Sequence, residues 1–292
     1  MEKHERRALS RALTKANRAS AAEQIENGLA GGQHAAHRIG ITGPPGAGKS
    51  TLIASLAASR ASAEHQVGIL AIDPSSPITG GAILGDRIRM DDSTDSRHVY
   101  IRSFASGKLS DGLTGNLAGA LDVMDQYGFS EVVVETVGVG QVNHAISVMV
   151  DTVVVVLVPE SGDTIQAMKA GILEIADIYV VNKSDRPGAE RVVADLEGVL
   201  AHAKRTPEQW EPRVLLTSAA KGDLGNLGEV INEHRAWTAR VSTEPGKARQ
   251  RSRYLATSLL SQHLNDIAAE LPDEAFDGSL KSLKNELISR LK

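Results

Sequence analysis

Residues Gly43-Pro44-Pro45-Gly46-Ala47-Gly48-Lys49-Ser50 fit the pattern G-x-x-x-x-G-K-[ST] at every fixed position. The chemistry that needs this spacing is phosphate binding. Glycines let successive backbone N–H groups turn toward one anion, and a following helix adds the positive end of its dipole. The lysine then reaches the β- and γ-phosphates, and the hydroxyl is a ligand for Mg2+. On this reading Gly43 through Ser50, with Thr51, form a nucleotide cradle. A second stretch, Asn182-Lys183-Ser184-Asp185, has the form N-K-x-D. A carboxylate at Asp185 accepts from guanine N1–H and the 2-amino group, a donor pair that adenine lacks. An adenine there would leave a buried carboxylate unpaired, which is costly. Asn182 and the stem of Lys183 are expected to hold the base and the loop. Thr217-Ser218-Ala219-Ala220 fits a loop whose backbone, at Ser218, Ala219 and Ala220, supports the guanine O6.

Acids supply the metal side of such a site. Glu135 closes the apolar run VVVE, and Gly138 follows three residues later, so E-T-V-G stands where many nucleotide switches have D-x-x-G. Glu135 can meet Mg2+ directly or through water. Gly138 can give an N–H to the γ-phosphate, and Gly140 leaves the loop free to move. Asp73 and Asp86, in AIDPSSPITGGAILGDRIRM, are further metal candidates. Ser50, Asp73, Asp86 and Glu135 together exceed what one Mg2+ takes beside phosphates and water, which implies use in sequence. Arg87 or Arg89 could neutralise charge as an internal arginine finger, or stand as ordinary surface arginines. No glutamine directly follows Gly138. Gln141 could orient the attacking water, and slow turnover is expected. The candidate catalytic set is Lys49, Asp86, Arg89, Glu135 and Gln141.

These motifs need a scaffold that brings strand ends together. Strands are predicted at 38–42, 67–73, 99–102, 131–135, 152–158, 178–182 and 213–218, mostly separated by helical segments. Near-continuous Val/Ile runs alternating with helices predict a mainly parallel sheet buried on both faces, an α/β fold of the P-loop NTPase class. Such sheets bind ligands at their carboxyl ends, and each motif sits at such an end. Residues 1–37 read as a polar N-terminal helical extension, with Leu9 and Leu13 as its apolar pair. Residues 38–240 read as the nucleotide domain and 241–292 as a C-terminal helical arm. In the arm, helices are predicted at 246–271 and 279–292. The second carries the stripe Leu280, Leu283, Leu287 and Leu291, which must pack back on the domain or make an oligomer contact.

Composition narrows the classes. The net charge is −4 and aromatic residues make up 3%, which argues against a nucleic-acid partner. There is no cysteine, hence no disulfide and no thiolate metal site. No apolar run approaches a membrane span and the N-terminus lacks a secretory h-region, so the expectation is a cytoplasmic protein without membrane contact.

In combination, GPPGAGKST, AIDPSSPITGGAILGDRIRM, VETVGVGQ, VPESGDTIQAMKAGILEIADIYVVNKSD and TSAAKGDLGNL resemble the MeaB/ArgK GTPases over about residues 5–240. That family accompanies adenosylcobalamin-dependent acyl-CoA mutases such as methylmalonyl-CoA mutase. The resemblance implies GTP and GDP as substrate and product, and Mg2+ as cofactor. It assigns Lys49, Ser50, Asp73, Asp86 and Glu135 to nucleotide and metal. It also implies a partner-sensing switch at about 159–171, with Asp163, Gln166 and Lys169, and a homodimer built through the C-terminal arm. The implied role is to gate cofactor loading and to protect or reactivate the mutase, with no cobalamin bound by this chain itself. Three stretches depart from the family pattern. Gln141-Val142-Asn143-His144 replaces GQSE, PESGDTIQAMK replaces PGAGDELQGIK, and SFASGKLSDGLTGNL differs from SPSxGTLGG. These changes leave the nucleotide motifs intact and put the identity of the mutase in question, with isobutyryl- and 2-hydroxyisobutyryl-type mutases as alternatives. The rival reading is a nickel-insertion GTPase of the HypB or UreG kind. The absence of cysteine and the nine scattered histidines count against it.

Overall fold

The computed structural model describes residues 1–27, 36–73, 97–105, 115–136, 142–159, 175–202, 206, 209–241 and 244–290. Seven strands form one sheet: β1 His37–Thr42, β2 Val67–Asp73, β3 Val99–Ala105, β4 Glu131–Thr136, β5 Thr152–Leu157, β6 Ile178–Val181 and β7 Arg213–Leu216. Their spatial order is β3-β2-β4-β1-β5-β6-β7, and every pairing is parallel. The helices are α1 Lys3–Arg18, α2 Ala21–Glu26, α3 Lys49–Arg60, α4 Gly115–Gln126, α5 Val142–Met149, α6 Ala189–His202, α7 Leu227–Val241, α8 Glu244–Ala269 and α9 Leu280–Arg290.

The unbroken valine runs are explained by burial on both faces. Val132, Val134, Val153 and Val155 point into one apolar layer with Leu117, Leu121, Met124 and Ile146. Val133, Val154, Val156 and Val180 point into the other, with Leu52, Ile53 and Leu56 of α3 and Val230 and Ile231 of α7. Because side chains alternate along a strand, consecutive valines serve opposite layers. Each fully buried valine contributes about 1.5–3 kcal/mol. With both faces covered, polar chemistry is left to the two ends of the strands.

The N-terminal segment is docked on this body. The Glu5 carboxylate accepts the Glu2 N–H and caps the start of α1. Leu9 and Leu13, one turn apart, are fully buried in the layer that holds α4. From β3, Arg102 donates to Thr14 Oγ1 at 2.9 Å, and Arg6 of α1 donates to the Val99 carbonyl. At the other terminus α8 packs along α2, α4 and α5. Leu255 and Leu259 of α8 are buried. Arg251 donates to the Val148 carbonyl at the end of α5 and lies 3.6 Å from Asp151. Burial, followed by the nearby Arg38 charge, pushes its guanidinium below the ordinary arginine value, against Asp151, Asp125 and Asp122. Beyond it, α9 buries none of its described residues: of the predicted leucine stripe, Leu280 is 85% exposed, Leu283 and Leu287 are half-buried, and Leu291 lies outside the described residues.

The amino ends of the central strands are closed by a buried acid. Glu131 accepts from Arg60 Nε at 2.7 Å and from Arg60 Nη2 at 2.5 Å, with His65 3.3 Å and His37 3.7 Å away. Burial alone would raise its carboxyl. Hydrogen bonding and charge from His37 and Arg60 outweigh that and lower it from 4.5 to about 2. A carboxyl lowered in the folded state stabilises the fold above its unfolded value and loses that stabilisation as pH falls through the folded one. Glu131 therefore contributes about 3 kcal/mol at neutral pH, lost between about pH 4.5 and 2. Urea unfolding of the wild type should weaken across that window. Glu131→Gln should start less stable at pH 7 and show a shallower acid loss.

Candidate functional site

The carboxyl ends of β1, β4, β6 and β7 meet on one side of the sheet. The strand order puts β1 between β4 and β5, the point where chain connections diverge and a crevice opens. From β1 the chain turns through residues 43–48 into α3. Gly43 has φ +148°, and a Cβ there would stand 2.1 Å from the Val156 carbonyl oxygen of β5. Gly48 has φ +85°, and its Cβ would meet Asn182 Nδ2 at 2.5 Å. Both positions exclude a side chain, which explains the two fixed glycines of the pattern.

Lys49 is buried, and its ammonium donates to the Gly43 and Pro44 carbonyls at 3.0 and 3.1 Å. Its charge is thus folded back over the mouth of the loop. Ser50 Oγ donates to Glu135 Oε1 at 2.8 Å. Glu135 reaches this place because it is the register partner of Ile41 on β1, two residues before the loop begins. A buried carboxylate and a hydroxyl therefore converge at the start of α3. Two hard oxygen donors of this kind suit Mg2+. Among the described residues there is no group of three or more His, Asp or Glu placed to hold a metal ion.

The N-K-x-D residues at the end of β6 are wired into the phosphate loop. Asn182 is buried, and its amide donates to the Ala47 carbonyl at 2.8 Å. Its Oδ1 accepts from Thr217 Oγ1 and from the Ala219 N–H, both at 3.1 Å. Asn182 is expected to hold both the base and the loop, and these protein partners bind three loops to one another. Lys183 donates to the Gly46 carbonyl at 2.8 Å. Its φ of 60° is left-handed and costs roughly 1 kcal/mol, strain of the kind that collects at functional sites.

Asp185 presents its carboxylate beside these loops, with 38% of the side chain exposed. Ser218 Oγ donates to Oδ1 at 2.9 Å and Lys221 Nζ stands 3.2 Å from Oδ2. The Ser218 hydrogen bond, then the one from Lys221, hold the carboxyl below the ordinary aspartate value, so it stays ionised. Lys221 was not among the predicted site residues. The signal for it was a cation one turn past Ser218, in Ala219-Ala220-Lys221, too common a pattern to single out.

The described residues thus bring together Gly43 to Thr51, Glu135, Asn182, Lys183, Asp185 and Ser218 to Ala220. Asp73 is the last residue of β2, the strand beside β4. Asp86, Arg87, Arg89, Gly138, Gly140, Gln141, Asp163, Gln166 and Lys169 lie outside the described residues.

A phosphate loop and an N-K-x-D loop joined on one parallel sheet define a P-loop GTPase. The chain belongs to the MeaB family: the family model described as "Methylmalonyl Co-A mutase-associated GTPase MeaB" matches residues 9–273. A Pyrococcus abyssi protein described as a GTPase is 43% identical over 256 residues, covering 86% of this chain and 79% of that one. GTPase ArgK of Escherichia coli is 33% identical over 258 residues, covering 86% and 78%. The mitochondrial methylmalonic aciduria type A homolog of Mus musculus is 38% identical over 189 residues, covering 64% of this chain and 46% of that protein. Among solved structures, a LAO/AO transport system kinase has the same fold, with a TM-score of 0.65 at 21% identity, covering 100% and 97%.

Gly48→Ala introduces both a left-handed alanine and a contact with Asn182. It should lower stability by about 2 kcal/mol, read from the urea midpoint, and weaken guanine-nucleotide binding in the same protein.

Proposed function

We propose that this GTPase is a Mg2+-dependent switch that attends an adenosylcobalamin-dependent acyl-CoA mutase. It would gate cofactor loading and protect or reactivate the mutase, working as a homodimer. The observation that carries the nucleotide half is the bridge through Asn182, which sets an ionised Asp185 at a fixed distance from the phosphate loop. One guanine nucleotide then spans both loops. Asp185 accepts from the base edge, with Ser218 and Lys221 holding the carboxylate in place. Ser218, Ala219 and Ala220 flank the base. The N–H groups of residues 43–51 and the Lys49 ammonium receive the phosphates once Lys49 leaves the Gly43 and Pro44 carbonyls. Ser50 and Glu135 would hold Mg2+, joined by Asp73 and Asp86. When bound, the ion supplies charge neutralisation to the β- and γ-phosphates. Arg89 and Gln141 are proposed for the transition state and the attacking water, Gly138 for the γ-phosphate, and Asp163, Gln166 and Lys169 for sensing the partner.

The mutase half is supported by the description of the matching family and by the name of the mouse relative. The partner-facing departures at 141–144 and 159–169 leave the kind of acyl-CoA mutase as the variable to be tested. The exposed Leu280 of α9 supports the dimer.

With Mg2+, the full chain should hydrolyse GTP slowly and leave ATP nearly untouched. The cognate mutase, among methylmalonyl-, isobutyryl- and 2-hydroxyisobutyryl-CoA mutases, should raise kcat on the order of tenfold. Equal turnover with and without all three would overturn the mutase reading and leave the GTPase intact. Asp185→Asn should exchange the preference for guanine for one for xanthine. An unchanged preference would remove Asp185 from the base site.

A further inference from the structure

Helix α5 stands between β4, which carries Glu135, and the start of β5. It has eight residues. A helix of about two turns is marginal by itself, and its last four carbonyls find no partner within it. Contacts from outside therefore decide where it stands. The Ile146 carbonyl accepts the Val150 N–H, and the Val148 carbonyl accepts from Arg251 Nε at 3.3 Å. Arg251 belongs to α8, 103 residues further along the chain. Its cation also meets the negative end of the α5 dipole.

The same junction is tied to the sheet. The Asp151 N–H donates to the Arg38 carbonyl at 2.8 Å, and Asp151 Oδ2 accepts the Arg38 N–H at 2.9 Å. Asp151 Oδ1 faces Arg251 Nη2 at 3.6 Å, so one carboxylate joins β1 to α8. The carboxyl-terminal half of α5 lies against bare backbone of β1. A Cβ at Gly40 would stand 2.6 Å from Ile146 Cγ1 and 3.1 Å from Val150 Cγ2. Leu255, one turn beyond Arg251, is buried in the apolar layer that also holds Ile146, Met149 and Val150. Arg251 itself is 4% exposed. A guanidinium is held in such a place only where its charge and N–H groups are matched, here by Val148, Asp151 and the acids Asp125 and Asp122 of α4.

Between the end of β4 at Thr136 and the start of α5 at Val142 the chain has only residues 137–141. So short a connection ties the place of α5 to that of Glu135, which accepts from Ser50 at the start of α3. We propose that Arg251 is a positioning residue for GTP hydrolysis, holding α5 in the place from which the chain between Glu135 and α5 serves bound GTP. The inference rests on the reading of Glu135 and the residues after it as the hydrolytic side of the site. The binding side is set by other bonds. Asn182 joins the phosphate loop to the base loops through Ala47, Thr217 and Ala219, and Arg251 touches none of them. Loss of Arg251 therefore acts on turnover and spares affinity. The contact also gives the C-terminal arm a route to the nucleotide, since whatever grips α8 changes how Arg251 holds α5.

The test is steady-state GTP hydrolysis by the full chain with Mg2+, read beside GDP affinity and urea unfolding. Arg251→Met keeps the stem and removes the charge and the donors. It should lower kcat roughly tenfold, with KM for GTP and Kd for GDP within about twofold of wild type. Arg251→Lys, which returns a cation and a donor, should recover most of the lost kcat. A merely structural role would lower the urea midpoint and leave kcat per folded molecule at the wild-type value, and that result would overturn the proposal. Should Arg251→Met not fold, Asp151→Asn keeps an acceptor for the Arg38 N–H and removes only the charge that faces Arg251. Its kcat should fall about threefold at unchanged KM, and an unchanged kcat would overturn the proposal equally. Glu135→Ala separates the two levels of the argument. Wild-type turnover in Glu135→Ala would remove the reading of the hydrolytic side and this inference with it. Slow turnover there beside wild-type turnover in Arg251→Met would remove the inference alone.

Discussion

The site depends on one buried amide. Asn182 donates to the phosphate loop at Ala47 and accepts from Thr217 and from the Ala219 N–H. Each hydrogen bond is worth only about 1 kcal/mol net, yet leaving any of these buried groups unpaired costs about 1–3 kcal/mol. The asymmetry makes the bridge cooperative, since moving one of the three loops strands groups on the other two. A nucleotide is a rigid ruler between base and phosphates, so the spacing of the loops must be set before it arrives. The same bridge explains why Gly48 lacks a side chain, because a Cβ would occupy the place of the Asn182 amide nitrogen. It also explains why Lys183 accepts a left-handed backbone, which directs its ammonium to the Gly46 carbonyl.

The sheet makes such a bridge possible by leaving no other place for polar groups. Valines on successive positions of β4 and β5 fill both apolar layers. Charge then gathers at the strand ends, with different work at each. At the carboxyl end Ser50, Glu135 and Asp185 keep exposed or exchangeable partners, so a ligand can replace them. At the amino end Arg60 is paired with Glu131, and Thr152 lies between His37 and His234. A group that must release its partner to bind a ligand gains from being half-satisfied. A group that only holds strands together gains from being paired and dry.

Much of this was legible in the residues, for unequal reasons. The phosphate loop, the base loop and the parallel sheet were readable because each rests on local pattern: fixed glycines, a tetrapeptide, and valine runs too long for a half-exposed strand. The predicted end of β6, at Asn182, lies one residue beyond the strand, and that of β7, at Ser218, two residues beyond it. There the chain leaves the ladder so that Asn182, Thr217 and Ser218 can serve the loops. The Leu9 and Leu13 pair marked α1 as amphipathic, but its docking against α4 and β3 depends on Arg102 and Val99, distant in sequence. Arg251 stands in the cation-rich run Lys247–Arg253, where nothing sets it apart from its neighbours. Burial against Val148 and Asp151 is a property of the fold and left no mark on its neighbours in the chain.

The same reasoning separates the two histidines of the amino end from the seven others. His37 opens an apolar strand and His234 stands in the middle of an amphipathic helix, and neither position signals chemistry. What joins them is Thr152, the single polar residue of the TVVVVL strand, fully buried between them. A threonine opening a valine run reads as an ordinary β-branched choice. Between two imidazoles it becomes the hydroxyl that joins β1 and β5 to α7. That link follows from where donors and acceptors meet in space rather than from their spacing in the chain. It therefore appears only when β1, β5 and α7 are brought into contact, by the same sheet that brings the nucleotide loops together at the other end.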